Sequence, residues 1–215
     1  MTGQVPVRDR LLEEEKAEIS LRYPDLLFIT RNGELHLRGS FPVRDDEDNI
    51  LDRFQIEVMI PQQWPRSVPM LWEIGGRIPH HKDRHVEDNG KACPIIPMEW
   101  LMHPKYESLI AFLEIPVRNF FLYQLTRELN QSWKWGERGH GPNGKDEFYT
   151  EHFGTKDRQK IRLFLSCLAK ERHKSHWYCP CGSGLKIRAC HQAKLEELRR
   201  IIPPWLARQI LSEEF

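Results

Sequence analysis

The sequence predicts an α+β fold, in which a four-stranded antiparallel meander with flanking helices is followed by a small cysteine-rich module. Three patterns lead to this prediction. Apolar and polar residues alternate from Phe54 to Ile60, as in a strand with one buried face. Apolar residues return at helical spacing from Leu109 to Leu125, and three cysteines crowd between Cys179 and Cys190.

Local signals place the remaining elements. Asn32-Gly33 predicts a tight hairpin, because this pair tolerates positive φ, and Pro116 is expected to kink or divide the helical run around it. The predicted elements are an amphipathic helix that carries Val7, Leu11, Leu12 and Ile19 on one face and ends before Pro24, strands at Leu26–Thr30, Leu35–Val43, Phe54–Ile60 and Met70–Ile74, an irregular stretch over 76–103, a core helix at 106–129, a Gly- and aromatic-rich loop at 133–154, and helices at 156–172 and 192–213 with a break at Pro203-Pro204.

Length and charge divide the chain into two unlike parts. Of its 215 residues, 40% are hydrophobic and 29% charged, which favours a folded protein with a real core. Residues 156–215 hold 13 Lys/Arg against 6 Asp/Glu, whereas residues 1–155 hold 19 against 25. We predict one domain over 1–155 and a basic segment over 156–215. Its charge fits either a solvated helical surface or contact with nucleic acid or an acidic partner.

The distribution of apolar residues and cysteines predicts a cytoplasmic protein. No apolar run approaches the ~18–20 residues of a bilayer span, and the N-terminal residues lack the basic-then-apolar order of a secretory signal. Five cysteines, an odd number, are not spaced as a secreted disulfide framework. We therefore expect metal or thiol chemistry from them.

The most specific signal is the string from Cys179 to His191. It holds Cys179, Cys181, Cys190 and His191, which are the ligands of a closed Cys₃His structural zinc site. The Gly-Ser-Gly turn between them lets the backbone fold around the metal. We expect one zinc ion at about 177–192, and the alternative is a reduced cluster of unligated cysteines.

The same string resembles the SEC-C motif, a short zinc-binding module of the SecA translocation motor and of many bacterial proteins. The shared features are the Cys-x-Cys opening, the Gly-Ser-Gly turn, the basic stretch and the Cys-His close. The resemblance covers these thirteen residues alone. It implies a recognition or docking element, one possibility being a link to ribosomes or translocation factors.

Cys93 stands by itself on the sequence Asn89-Gly90-Lys91-Ala92-Cys93. A thiol on a loop near basic groups is a candidate nucleophile, because the thiolate is the reactive form and Lys91 and nearby histidines would favour it. The alternative is a small buried apolar residue.

The order of elements around Cys93 resembles the ubiquitin-conjugating fold over roughly residues 5–150. The matching features are Leu37-x-Gly39-x-Phe41, the segment Trp64-Pro65 to Pro69, and the Asn-Gly-x-x-Cys string at the active-site position. Within that family the chain is similar to prokaryotic conjugating-enzyme-like proteins of anti-phage defence operons, including cyclic-oligonucleotide (CBASS-type) systems. The segment from Trp135 to Tyr149 also resembles that branch.

This resemblance implies a cysteine transferase that holds a protein carboxyl terminus as a thioester on Cys93 and passes it to an acceptor amine. The implied donor is a nucleotidyltransferase or a ubiquitin-like protein, activated elsewhere because this sequence has no Gly-rich nucleotide loop. The resemblance does not identify the acceptor protein. No membrane or nucleic-acid partner is expected. The alternative function is a catalytically inactive binding module of the same fold.

One departure from the family concerns the oxyanion donor. The His-Pro-Asn tripeptide is absent, and His85-Val86-Glu87 stands near its place. Asn89 and His140 are the candidate substitutes, with a turn role and a loop role as their structural alternatives.

The histidines His80, His81, His85 and His103 suggest a second metal site, but they lack matched cysteine or carboxylate spacing. Loop hydrogen bonding is the favoured interpretation. His85-x-Glu87 lacks the downstream Pro-Cys-x-x-Cys that a zinc deaminase needs, which excludes that class.

Overall fold

The structure, a computed structural model, describes residues 6–129, 142–172 and 174–215. These residues group into two compact units. The first holds residues 6–100 and 105–129, and the second holds 101–104, 142–172 and 174–215. The boundary predicted after residue 155 assigns the helix at 142–153 to the first domain, whereas the structure groups it with the second unit.

The first unit contains a five-stranded antiparallel sheet whose strands follow one another in chain order. The α+β class and the first four strands agree with the prediction. The predicted count of four is wrong by one short strand, which the sequence pattern missed because two residues are too few to show a period. The strands are β1 (Leu26–Arg31), β2 (Glu34–Arg44), β3 (Ile50–Ile60), β4 (Met70–Glu73) and β5 (Lys91–Ala92).

The sheet buries the apolar face that its alternation predicts. In β2, β3 and β4 the side chains of Leu37, Phe41, Ile56, Val58 and Leu71 are at most 1% exposed. The β1–β2 hairpin turns at Asn32 and Gly33, which have φ of 52° and 80°. This conformation is the one that an Asn-Gly pair favours in a two-residue hairpin.

Helices cover the buried face of the sheet and belong to the same core. They include α1 (Val7–Arg22), α3 (Leu109–Phe112), a π-helical segment (Leu113–Val117) and α4 (Arg118–Glu128). The short α2 (Pro97–Leu101) lies between α1 and α3 in the chain. Pro116 lies inside the π-helical segment, so the helical run is irregular at this proline as predicted, although its backbone stays helical on both sides.

The second unit is helical apart from the cysteine-rich loop. Its helices are α5 (Pro142–Phe153), α6 (Arg158–Leu168), α7 (Gln192–Ile201) and α8 (Pro204–Glu214). The break at Pro203-Pro204 is confirmed, since Pro204 is the first residue of α8. The predicted loop at 133–154 is wrong over α5, where buried Phe148, Tyr149 and Phe153 override a composition that suggests a loop.

Among the described residues, no helix combines the length and the apolar character that crossing a bilayer requires.

Candidate active site and metal centre

Cys93 directly follows β5, where a tight hairpin from Val86 to Ala92 returns the chain to the sheet edge. The Glu87 and Lys91 backbones are joined by an N–H to carbonyl bond of 2.9 Å, and Val86 and Ala92 form an antiparallel bridge. The Cys93 amide donates to the His85 carbonyl at 2.8 Å. Cys93 is exposed. The hairpin therefore holds an accessible thiol on an ordered backbone.

Gly90 at the tip of this hairpin is required by its surroundings. Its φ is +82°, and a Cβ placed there would lie 2.9 Å from the His80 ring. The same ring lies over the turn, with Nδ1 3.3 Å from the Asp88 carbonyl oxygen. A side chain at position 90 would meet both backbone strain and an imidazole.

The loop that leads into the hairpin is attached to α4 by side chains of both partners. Gln124 is fully buried; its Oε1 accepts from Arg84 Nε at 2.7 Å and its Nε2 donates to the Arg84 carbonyl at 2.9 Å. The Tyr123 hydroxyl donates to the Asp83 carbonyl at 3.0 Å. These bonds satisfy loop carbonyls that the sheet does not pair.

Glu87 links the charged and polar side chains around the thiol. Its Oε1 accepts from Lys91 Nζ at 3.0 Å and from the Cys93 thiol at 3.6 Å. Its Oε2 accepts from Asn89 Nδ2 at 3.3 Å. The Lys91 ammonium is the main cause that lowers the pKa of the Glu87 carboxyl.

These surroundings hold the pKa of the Cys93 thiol above its usual range. Partial desolvation of the sulfur is the largest cause, and the Glu87 carboxylate adds to it. Lys91 opposes the shift but does not overcome it. The charge balance is therefore the reverse of the expectation that Lys91 would favour the thiolate.

The Asn89 side chain is engaged by the turn at both ends. Its Oδ1 accepts from the Lys91 backbone N–H at 2.9 Å, while its Nδ2 donates to Glu87. This arrangement supports the turn role rather than the oxyanion role for Asn89. His140, the other candidate, lies outside the described residues, so its role stays a prediction.

The loop histidines serve local structure. His81 Nδ1 accepts from the Asp83 amide at 3.2 Å, and the His85 ring packs edge-on against Tyr123 at 5.3 Å. Across residues 6–129, 142–172 and 174–215, the one group of His, Cys, Asp or Glu able to hold a metal is the cysteine cluster of the second unit. The contacts of His80 and His81 with the loop backbone agree with the interpretation of the patch as loop hydrogen bonding.

Cys179, Cys181, Cys190 and His191 lie close together and can bind a metal. Their ligand atoms all fall within 4.8 Å of one another. Cys181 Sγ and Cys190 Sγ are 3.5 Å apart, and His191 Nδ1 is 3.3 Å from Cys179 Sγ. In a tetrahedral zinc site with Zn–S near ~2.3 Å, neighbouring sulfurs are about 3.8 Å apart, so the four side chains fit that geometry.

The backbone around the cluster also fits a metal site. Gly182 and Gly184 have φ of 81° and 75°, which the turn between the ligands needs. The Ser183 hydroxyl lies 3.4 Å from Cys190 Sγ. Hydrogen bonding from Ser183 lowers the pKa of Cys181, which favours the thiolate that a metal requires, whereas burial raises the pKa of Cys179.

Comparison with known proteins gives no match: no family model, curated protein or solved structure is similar enough to this chain to be matched. The residues themselves therefore carry the functional argument.

Sequence reasoning missed two residues that shape the Cys93 site. At the sequence level Glu87 is considered near the absent tripeptide and in the excluded deaminase pattern, but not as a partner of the Cys93 thiol, and Gln124 is not singled out. A signal for Glu87 exists in the sequence, because a hairpin closed by Asn89-Gly90 places residues 87 and 91 across the turn from each other. No local pattern identifies Gln124, since its partner Arg84 is 40 residues away.

Proposed function

We propose that this chain is a ubiquitin-conjugating-like cysteine transferase, in which Cys93 carries a protein carboxyl terminus as a thioester and passes it to an acceptor amine. The observation that carries the proposal is an exposed thiol on a backbone fixed at the edge of an antiparallel meander. A macromolecular donor can reach such a thiol, and the fixed backbone limits the geometries it must sample. The ubiquitin-conjugating fold itself belongs to this proposal.

The reaction consists of two acyl transfers. The Cys93 sulfur attacks the carbonyl carbon of an activated carboxyl group, the C–S bond forms, the bond to the activating group breaks, and the thiol proton leaves. An amine nitrogen then attacks the same carbon, so that an amide forms, the C–S bond breaks and the sulfur takes up a proton. Each step has a lower barrier than direct amide formation from a free carboxylate.

Glu87 is the group placed to receive the thiol proton, because the Cys93 thiol already donates to its Oε1. Its pKa is lowered by Lys91, which makes it a weak base. The free enzyme therefore keeps Cys93 mostly as the thiol at neutral pH, and reaction requires an activated donor. This fits a protein that receives its acyl group already activated.

The donor in this proposal is a nucleotidyltransferase or ubiquitin-like protein of a bacterial anti-phage operon, and the reaction takes place in the cytoplasm. The cysteine cluster holds zinc through the Sγ atoms of Cys179, Cys181 and Cys190 and Nδ1 of His191, because three thiolates and an imidazole are a typical zinc ligand set. Zinc there stabilises the fold of the second unit and takes no part in chemistry at Cys93.

A second candidate is a binding module without transferase activity. It is favoured by the raised pKa of Cys93 and by the engagement of Asn89 in its turn, which leaves the described residues without an assigned oxyanion donor.

Intact mass spectrometry of the protein purified with its operon neighbours separates the two functions. A transferase is expected to carry an adduct that hydroxylamine removes, that Cys93→Ala abolishes, and that Cys93→Ser retains as a hydroxylamine-resistant ester. Cys167→Ala is the matched control, because this cysteine is buried in the second unit. An unmodified chain in the presence of a donor proven active on another acceptor would assign the binding function.

A further inference from the structure

A short two-stranded ribbon next to the cysteine cluster presents an aromatic ring to solvent, with a half-buried lysine against it. Tyr178 and Lys186 form an antiparallel bridge, and the Ile187 amide donates to the Trp177 carbonyl at 2.8 Å. Paired residues in a ribbon share one side, and successive residues alternate, so Tyr178 and Lys186 lie opposite buried Ile187. Tyr178 is 69% exposed, with Lys186 Nζ 3.4 Å from its ring centroid.

The segment that carries this ribbon is strongly basic. Residues 169–191 contain a single carboxylate, Glu171, and it lies 3.3 Å from Arg208 Nη1. Three thiolates and a divalent metal would add one further negative charge, so the segment stays net positive. Within the part of the chain that the structure describes, its lysines and arginines have no carboxylate within 4.0 Å; they are Lys170, Arg172, Lys174, Lys186 and Arg188.

The backbone that bears these cations is fixed from the helices of the second unit. Arg199 Nη1 donates to the carbonyls of Lys170 and Glu171 at 2.8 and 3.2 Å. The Arg188 amide donates to the Ser175 carbonyl at 3.0 Å, which ties one end of the basic loop to the ribbon. The cations therefore project from an ordered surface, which lowers the entropy lost on binding a polyanion.

We propose that this face binds single-stranded nucleic acid. Unpaired lysines and arginines on a fixed backbone neutralise a phosphate chain, and an exposed tyrosine offers a platform on which an unpaired base stacks. The second feature selects among polyanions, because neither an acidic peptide nor a base-paired duplex presents a free base to the ring. Lys186 covers one face of the Tyr178 ring, so a base would stack on the opposite face, with the lysine cation behind the ring.

The test is fluorescence anisotropy of the full, metal-loaded chain with a labelled oligothymidylate of about 20 nucleotides, across a range of salt concentrations. Log K is expected to fall with log salt by about 0.7 for each phosphate contacted, hence by up to about 3.5 for five cations. Tyr178→Ala is expected to weaken binding about tenfold or more, and Tyr178→Phe to retain it, because phenylalanine also stacks.

Charge variants provide matched controls. Lys174→Glu and Arg188→Glu are each expected to weaken binding and to reduce the salt slope, whereas Lys82→Glu makes the same charge change on an exposed residue of the first unit and is expected to leave both unchanged. Metal content and thermal unfolding of each variant show that the second unit remains folded.

Four results would overturn the proposal. They are equal affinity for a duplex of the same length, equal competition by polyglutamate, unaltered binding by folded Tyr178→Ala, and binding to phosphatidylglycerol vesicles without binding to the oligonucleotide. The last result would assign the face to a membrane surface.

Discussion

Replacing Glu87 by glutamine is expected to make Cys93 more reactive. The carboxylate is one cause of the raised pKa of the thiol, so below that pKa it reduces the thiolate fraction. Glutamine has nearly the same shape and keeps a carbonyl oxygen for Lys91, but carries no charge. The midpoint of the labelling profile should move to lower pH, and the rate at neutral pH should rise.

The size of the effect follows from the separation between Cys93 Sγ and Glu87 Oε1, which is 3.6 Å. Because 44% of the Glu87 side chain is exposed, a water-like dielectric applies, and two unit charges at this distance repel by about 1.2 kcal/mol. Removing that repulsion raises the thiolate fraction about sevenfold. A less basic thiolate is a weaker nucleophile, with a Brønsted coefficient of about 0.4–0.5, which leaves a net acceleration of about threefold.

Iodoacetamide labelling, followed by peptide mass spectrometry at a series of pH values, measures this rate for Cys93 separately from the other cysteines. Glu34→Gln, at an exposed position that begins β2, is the matched control. Well above both pKa values the order should reverse slightly, because only the nucleophilicity difference remains. A Glu87→Gln profile that coincides with the wild type, or lies at higher pH, would refute this account of the thiol.

Three further predictions concern the turn, the metal and the sheet. Asn89→Ala is expected to lower the free energy of unfolding by about 1 kcal/mol, since the bond to the Lys91 amide is lost, while thioester discharge per folded molecule stays unchanged; urea unfolding and a single-turnover assay check the two parts. Cys181→Ser is expected to bind less than one equivalent of zinc and to make the second unit sensitive to protease, which elemental analysis and limited proteolysis measure. Full metal content or a protease-resistant second unit would contradict this. Gly39→Ala is expected to lower the free energy of unfolding by about 3 kcal/mol or more, because φ is +146° and the new Cβ would lie 1.9 Å from the Asp25 carbonyl oxygen. Gly33→Ala is the control for backbone strain alone, since its Cβ would meet nothing within 4 Å. Equal losses of stability in thermal unfolding of the two variants would show that the clash is unimportant.

The meander was predictable because its signals are local. Alternation over β3 and the Asn-Gly turn each report on a few consecutive residues. The start of β3 differs from its prediction by four residues, and the other bounds of β1 to β4 differ by at most one. The fifth strand and α5 were missed for the opposite reason. β5 exists because Lys91 and Ala92 pair with Trp72 and Leu71, and α5 because its aromatic side chains are buried by other helices.

The two candidate sites also differ in how far the sequence could predict them. The four ligand residues of the metal centre lie within thirteen positions, so their spacing alone predicts their proximity, and the structure brings them together. The state of Cys93 depends on which side chains the hairpin places beside the sulfur. The sequence suggested that Lys91 would favour the thiolate. In the structure, desolvation and the Glu87 carboxylate together outweigh Lys91 and raise the pKa of the thiol.

The attachment of the loop before Cys93 to α4 has a consequence for how pH acts on this protein. The bonds between Arg84 and Gln124 join a guanidinium, an amide and a carbonyl, none of which gains or loses a proton between about pH 4 and 11. Acid or base therefore leaves this anchor intact while Glu87 and Cys93 change charge at the other end of the loop. The Arg84–Gln124 bonds therefore contribute no pH dependence of their own to Cys93 reactivity, and any change of reactivity with pH arises from other groups of the loop and hairpin.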